Sequence, residues 1–427
     1  PSFRYSELPE APLYILLLAM LAAEGTQVDH PTDPSHILTY AWGRERDAWK
    51  RHLRPLFLYQ PEERLERALD IVEDLAVVAT LGRTFPDQHA LVNFLQAYWE
   101  PIPGVSWGEL TGRVSSLFPR AEGSLVPPIA PDPLADFVLR RRLERRPDLI
   151  PLALATAEEA QARPEDAVRA AGQALGVLGR LWEGGRDAAE RERIAGWMAE
   201  AARHLAAWPS SVVEVLDDGL PSPDRTLALR PFLVGFYRAW LERIPKEERA
   251  ERARLWNKLG IALSELGRRE EALAATQEAV AIRRKLAQTH PQAFLPYLAA
   301  SLINLGNQLS ELGRGEEALA VTQEATEIYR QLARTHSQAF LPYLAGSLNN
   351  LGNQLSELGR GEEALAAYEE AVRTLAPFFT RSPAAFANWM SRIVHNYLKA
   401  CKAFGLEPNE ELLRPVRDRL KEVLRAD

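Results

Sequence analysis

The chain holds one cysteine, Cys401, which excludes an internal disulfide framework and a cysteine-rich zinc site and fits a reducing, cytoplasmic compartment. Small and apolar, Cys401 is expected in a core. Lysine is scarce too: seven of the 51 basic residues, the rest being arginine, which favours planar, bidentate surface contacts. Positive charge is not in excess. A formal net charge of −7 removes any global attraction to nucleic acid or to an anionic membrane, so neither is an expected partner. The most apolar early run, Ala11–Ala23 (APLYILLLAMLAA), is too short to span a bilayer and follows acidic rather than basic residues. It reads as a buried helix. GxxxxGK[ST], HExxH, CxxC and closely spaced carboxylate–histidine clusters are all missing. No enzyme activity and no cofactor is therefore expected of this chain.

What the sequence does contain is repetition. NLGNQLSELGRGEEALA occurs at 304–320 and, unchanged, at 350–366. A shift of 46 residues also aligns Gly267, Gly313, Gly359 and Gly405; Pro245, Pro291, Ser337 and Pro383; Phe294, Phe340 and Phe386; and Asn304, Asn350 and Asn396. A fixed period of this length marks a solenoid whose units bury their apolar faces only against neighbours. At 427 residues the chain is too long for a single core, and four such units fill 245–427.

Within a unit one helix is expected up to the SELG segment, as over Gln292–Leu312, and a second over Gly315–Ala333. The intervening glycine suits a left-handed helix end, and the Glu-Glu pair after it suits the next helix N-terminus. Small residues recur where paired helices must touch: Gly260, Ala272 and Ala279, then Gly306, Ala318 and Ala325, then Gly352, Ala364 and Ala371. His290 and His336 fall between units and read as architecture, not as metal ligands.

These landmarks resemble the tetratricopeptide repeat. The first unit carries Trp256, Leu259, Gly260, Leu263, Ala272, Thr276 and Ala279; the next two place Leu302 and Leu348 at the tryptophan position, and the third supplies Tyr368 at the aromatic one. The closing proline is missing from these three, and the period exceeds the family's usual length of about 34, as in the kinesin-light-chain-like variety. The last unit, with Leu398 for Gly and Glu410 for Ala, is expected to cap the array.

The resemblance implies that first helices line a concave groove for a protein or peptide ligand. Carried over, the groove positions are Asn257, Lys258, Asn304, Asn307, Asn349, Asn350, Asn353, Asn396 and Lys399, and Arg254 and Arg392 join the lysines at its two ends. Asparagine is a poor helix former, and its amide both donates to and accepts from a bound backbone. The basic residues at either end suit acidic side chains or a terminal carboxylate. The alternative for the asparagines is architectural: bonds to neighbouring helices that fix the superhelix.

Residues 1–150 do not follow the period. Helices are expected near Ala11–Glu24, Pro34–Leu53, Pro61–Leu81, Gln88–Trp99, Gly108–Phe118 and Pro133–Arg146, with two short strands over Ser115–Ile129. Helices followed by a small hairpin are the plan of a winged helix. The segments PLYILLLAMLAAEG, ILTYAWGRERDAWKRHL and SLVPPIAPDPLADFVLRRRLERRPDLI are similar to those that follow the nucleotide-binding core in signalling NTPases of the STAND group, NACHT type. That resemblance implies an upstream nucleotide-binding core as a further partner, a role in signalling or defence, and oligomerisation. With Pro1 as first residue and no phosphate loop, the chain is expected to be the C-terminal part of such a protein. The run Arg140–Arg142 with Arg145 and Arg146 reads as a solvated helix face.

Residues 151–244 read as degenerate helical hairpins. The expected fold is thus mainly α: a helical and winged-helix region over 1–150, those hairpins, and an α-solenoid of repeats over 245–427. The function it implies is a non-catalytic sensor or adaptor. A freestanding assembly scaffold and a winged-helix transcription regulator with a repeat sensor remain open at this point.

Overall fold

The computed structural model describes residues 34–117, 124–126, 128–129 and 132–423. The expected helix near Ala11–Glu24 and part of the expected wing lie outside them. The chain divides into two compact units: one ends at Pro221 and adds Leu227–Phe236, and the other comprises Ser222–Thr226 and the chain from Tyr237 onward.

In the first unit, helices form over Pro34–Leu53, Glu62–Thr80, Gln88–Tyr98, Trp107–Leu117 and Asp132–Arg145. Glu62–Thr80 is the axis. Its first turn carries Glu62 and Glu63, suited to a helix N-terminus, and every residue from Ile71 to Thr80 is buried. A helix buried all round must be enclosed by others, and Pro34–Leu53, Asp132–Arg145 and Leu149–Ala153 pack against it. It stops at Gly82, whose φ of 105° favours glycine.

This burial takes Glu73 and Asp74 inward. Burial pushes both carboxyl groups above their usual range, while nearby guanidinium groups oppose the shift. Arg142 Nε donates to Asp74 Oδ1 at 2.6 Å, and Arg146 Nη1 donates to Asp74 Oδ2 at 2.8 Å. Arg46 and Arg142 stand 3.6 and 3.9 Å from Glu73. Arg140 reaches Glu190 and the Leu181 carbonyl, both at 2.7 Å. The basic run is therefore not simply a solvated face. Three of its arginines neutralise or bridge interior groups, and only Arg141 and Arg145 fit the expectation of exposure.

The expected wing is also corrected where it is described. Ser115–Leu117 are the end of the Trp107–Leu117 helix. Leu125 N–H donates to the Phe85 carbonyl at 2.7 Å, and Phe85 N–H donates to Ser124 Oγ at 3.0 Å. This short stretch is thus tied to the turn after Glu62–Thr80. Among the described residues there is no strand.

Farther on, helices over Pro164–Glu183, Ala188–Ala206 and Ser210–Gly219 continue the first unit. Asp187 caps the second by accepting from Glu190 N–H at 2.8 Å. Glu190 is buried, which opposes ionisation, but hydrogen bonds from Arg186 and Arg140 prevail and hold its carboxyl at about 2.

The second unit is an array of antiparallel helix pairs: Arg249–Glu265 with Arg269–Thr289, Pro291–Glu311 with Gly315–Thr335, Ser337–Glu357 with Gly361–Arg381, and Pro383–Phe404 with Glu410–Val423. Each first helix stops at a glycine of positive φ: 73° at Gly267, 74° at Gly313, 76° at Gly359 and 65° at Gly405. There Arg268, Arg314 and Arg360 donate their backbone N–H back to Leu263, Leu309 and Leu355, each at 2.9 Å, closing the turn. The same arginines hold the second Glu of each Glu-Glu pair, Glu271, Glu317 and Glu363.

The small residues act as expected. A Cβ on Gly260 or Gly306 would fall 2.2 or 2.3 Å from Thr276 or Thr322 Oγ1, and one on Gly352 would fall 2.6 Å from the Tyr368 ring. Each alanine named at these crossings is fully buried. One apolar core runs through the pairs from Leu273 to Val416 and includes Cys401. No helix among the described residues is long and apolar enough to cross a membrane.

Candidate ligand groove and its cavity

The first helices of successive pairs pack against one another: Arg249–Glu265 on Pro291–Glu311, that helix on Ser337–Glu357, and the latter on Pro383–Phe404. Residues at one register position therefore form a row across the array. Tyr297, Tyr343 and Trp389 form such a row, and all three are exposed despite their size, at 59%, 52% and 39%. Tyr343 stacks on Tyr329 at 5.9 Å and meets Trp389 edge-on at 6.2 Å. At the other end Arg283, 7% exposed, donates to the Tyr297 carbonyl and to Ser301 Oγ, with its guanidinium 5.7 Å from the Tyr297 ring centroid. Burial lowers the Arg283 pKa to about 10.

The asparagines divide between two tasks. Asn304 Nδ2 donates to Asn257 Oδ1 at 3.3 Å, and Asn396 Nδ2 donates to Asn349 Oδ1 at 3.0 Å. Asn257 also accepts from Ser301 Oγ at 2.7 Å, and Asn353 accepts from Tyr368 OH at 2.7 Å. These bonds knit first helices to each other or to their own partner helix, as the architectural alternative holds. Asn350 stands at the same register as Asn304 and Asn396 but makes no comparable bond, because the acceptor position before it holds Ile303. Asn307 is exposed.

A cavity of about 320 Å³ opens on the first helices of the second to fourth pairs. Tyr329, Tyr343 and Trp389 wall it, Asn304, Asn349 and Asn350 supply amides, and Arg392 also lines it. It exists because of a register position. Arg254 and Arg392 occupy that position in the outer pairs, whereas the inner pairs have Ala300 and Gly346, both of which line the cavity.

The groove thus brings together Asn304, Asn349, Asn350 and Arg392. Asn257, Asn307, Asn353, Asn396, Lys399 and the other basic pair do not line this cavity. Arg254 is held by Glu251 at 2.8 and 3.0 Å and lies 5.4 Å from the Trp240 ring centroid, while Lys258 Nζ is 5.7 Å from that of Tyr237. Sequence reasoning overlooked the aromatic row. Its signal was present: FLPYLA recurs at 294–299 and 340–345, and Trp389 follows 46 residues after Tyr343.

Residues 253–292, 298–336 and 344–375 match the tetratricopeptide repeat family, so the second unit carries tetratricopeptide repeats, modules that mediate protein–protein contacts. No curated protein matches the chain. Among solved structures it is similar to BtubC (BKLC) from P. vanneervenii at 17% identity, over 66% of this chain and 91% of that one, with a TM-score of 0.35. A circular tandem repeat protein with novel repeat topology aligns at 17% identity over 97% and 82% of the two chains, with a TM-score of 0.28. A signal transduction ATPase with numerous domains (STAND) and a tetratricopeptide repeat sensor, from Pyrococcus horikoshii, aligns at 16% identity over 79% of this chain and 54% of its own, with a TM-score of 0.22.

Proposed function

We propose that the chain is a non-catalytic sensor or adaptor that captures an extended segment of a protein partner along its first helices, within a STAND-type signalling protein. The observation that carries the groove reading is the exposed row Tyr297, Tyr343 and Trp389. Large rings left in solvent at one register across three pairs offer repeated contact to a chain lying along them, and such rings dominate the energetics of interfaces. The signalling context rests on the resemblance of the segments before residue 150. In that context ligand capture would bias a closed state towards an assembled one through its differential affinity for the two.

Peptide-library selection on the full chain tests the groove reading. Sequences enriched on the protein should lose binding at least tenfold when Tyr297, Tyr343 and Trp389 are all changed to alanine. Enriched sequences that bind the triple variant unchanged, with its helical circular dichroism intact, would place recognition elsewhere. Asn350→Ala is the companion variant, since Asn304 and Asn396 also tie helices together.

A further inference from the structure

The cavity has features that a row of exposed rings does not need. At about 320 Å³ it falls at the small end of the range for small-molecule sites, which are walled by apolar and aromatic side chains with a few placed polar groups. An extended chain would pass over it; a compact ligand would fill it.

The polar groups indicate the charge of that ligand. None of the lining residues is acidic. Among the described residues Arg392 makes no ion pair, although Arg254 at the same register is held by Glu251, and Arg330 on the second helix of the second pair is held by Glu370 at 2.9 Å. Arg392 is exposed, and a guanidinium without a carboxylate repels cations and attracts one anionic group. Asn350 supplies the second observation. Its register counterparts spend their amide N–H on Asn257 and Asn349, but Ile303 stands where its acceptor would be. Its donors are left for a ligand oxygen.

We propose that the cavity binds a small aromatic carboxylate. The planar body lies among Tyr329, Tyr343 and Trp389, and the carboxylate takes hydrogen bonds from Arg392 and Asn350. This site shares Tyr343 and Trp389 with the ring row but adds Tyr329, Asn350 and Arg392, so its test is separate from that of the peptide reading.

The probe is 2-naphthoate, compared with 2-naphthamide, 2-naphthylmethylammonium and acetate, each titrated into the full chain by calorimetry and ligand-observed NMR. Naphthoate should bind one per chain with a dissociation constant below about 1 mM. The amide, the ammonium and acetate should each bind at least tenfold more weakly. Gly346→Leu decides where the probe sits. A Cβ there meets nothing within 4 Å, so the leucine side chain starts into open space and extends into the cavity. That variant should keep its Tm and lose naphthoate, and Arg392→Gln should weaken it about tenfold. Naphthoate binding that survives Gly346→Leu, or ammonium binding as tight as naphthoate, overturns the proposal. So does failure of naphthoate to bind at all. Should Gly346→Leu instead abolish binding of library-selected peptides while naphthoate never binds, the cavity is a peptide pocket: the small-molecule proposal falls and the groove reading stands.

Discussion

Asn396 donates its amide to Asn349 at 3.0 Å, across the seam between the third and fourth helix pairs, while Asn350, next in sequence to that acceptor, has no such partner. Two adjacent asparagines of one helix therefore do different jobs: one is mortar and the other is spare.

That difference is measurable. Asn349 is buried, so Asn349→Ala should cost about 1–2 kcal/mol by removing the acceptor of Asn396. Asn350→Ala should leave stability unchanged or raise it by a few tenths of a kcal/mol, because alanine is the better helix former. Urea denaturation of the two variants side by side checks both; equal losses would show that Asn350 is structural too.

Two glycines of that same helix should likewise respond in opposite directions. Gly352→Ala drives a methyl to 2.6 Å from the Tyr368 ring and should destabilise by about 1–3 kcal/mol. Gly346→Ala meets open space and should stabilise by about 0.5–1 kcal/mol. Thermal unfolding reads both signs.

In the first unit, pH separates two buried glutamates. Glu190 has a depressed pKa of about 2, so its contribution is present above its unfolded value of 4.5 and is lost as pH falls from there through 2. Glu190→Gln should cost about 1–3 kcal/mol at pH 7, with the penalty shrinking in acid. Burial raises the Glu73 pKa, so stability is lost as pH rises from the unfolded value of 4.5 through its higher folded pKa. Glu73→Gln should be neutral or stabilising at pH 7, and its advantage should vanish as pH falls below the ordinary glutamate range. Tm measured against pH for both variants gives opposite slopes.

The turn glycines offer a further check. Gly313 has a φ of 74°, and Gly313→Ala should cost about 1 kcal/mol although a Cβ there meets nothing within 4 Å. The loss would come from backbone conformation alone, so double substitution with Gly359→Ala, one turn farther along the array, should be close to additive in denaturation.

Much of this protein was decided locally, by spacing along the chain. The 46-residue recurrence of glycine, alanine and Glu-Glu sets the helix ends, the turns and the crossings, because each unit meets only its neighbours and one unit's pattern is enough to place the next. The helix Gln88–Tyr98 was legible for a similar reason, its start being capped by Asp87. What only the tertiary structure decided are matters of who faces whom. Whether an asparagine spends its amide on a neighbouring helix depends on the residue opposite it, and Ile303 in place of an acceptor is what frees Asn350. Whether an arginine is solvated depends on carboxylates far away in sequence, and Asp74 and Glu190 claimed Arg142, Arg146 and Arg140. The cavity itself arises where Ala300 and Gly346 leave space between walls contributed by three helix pairs, a volume that no single stretch of sequence contains.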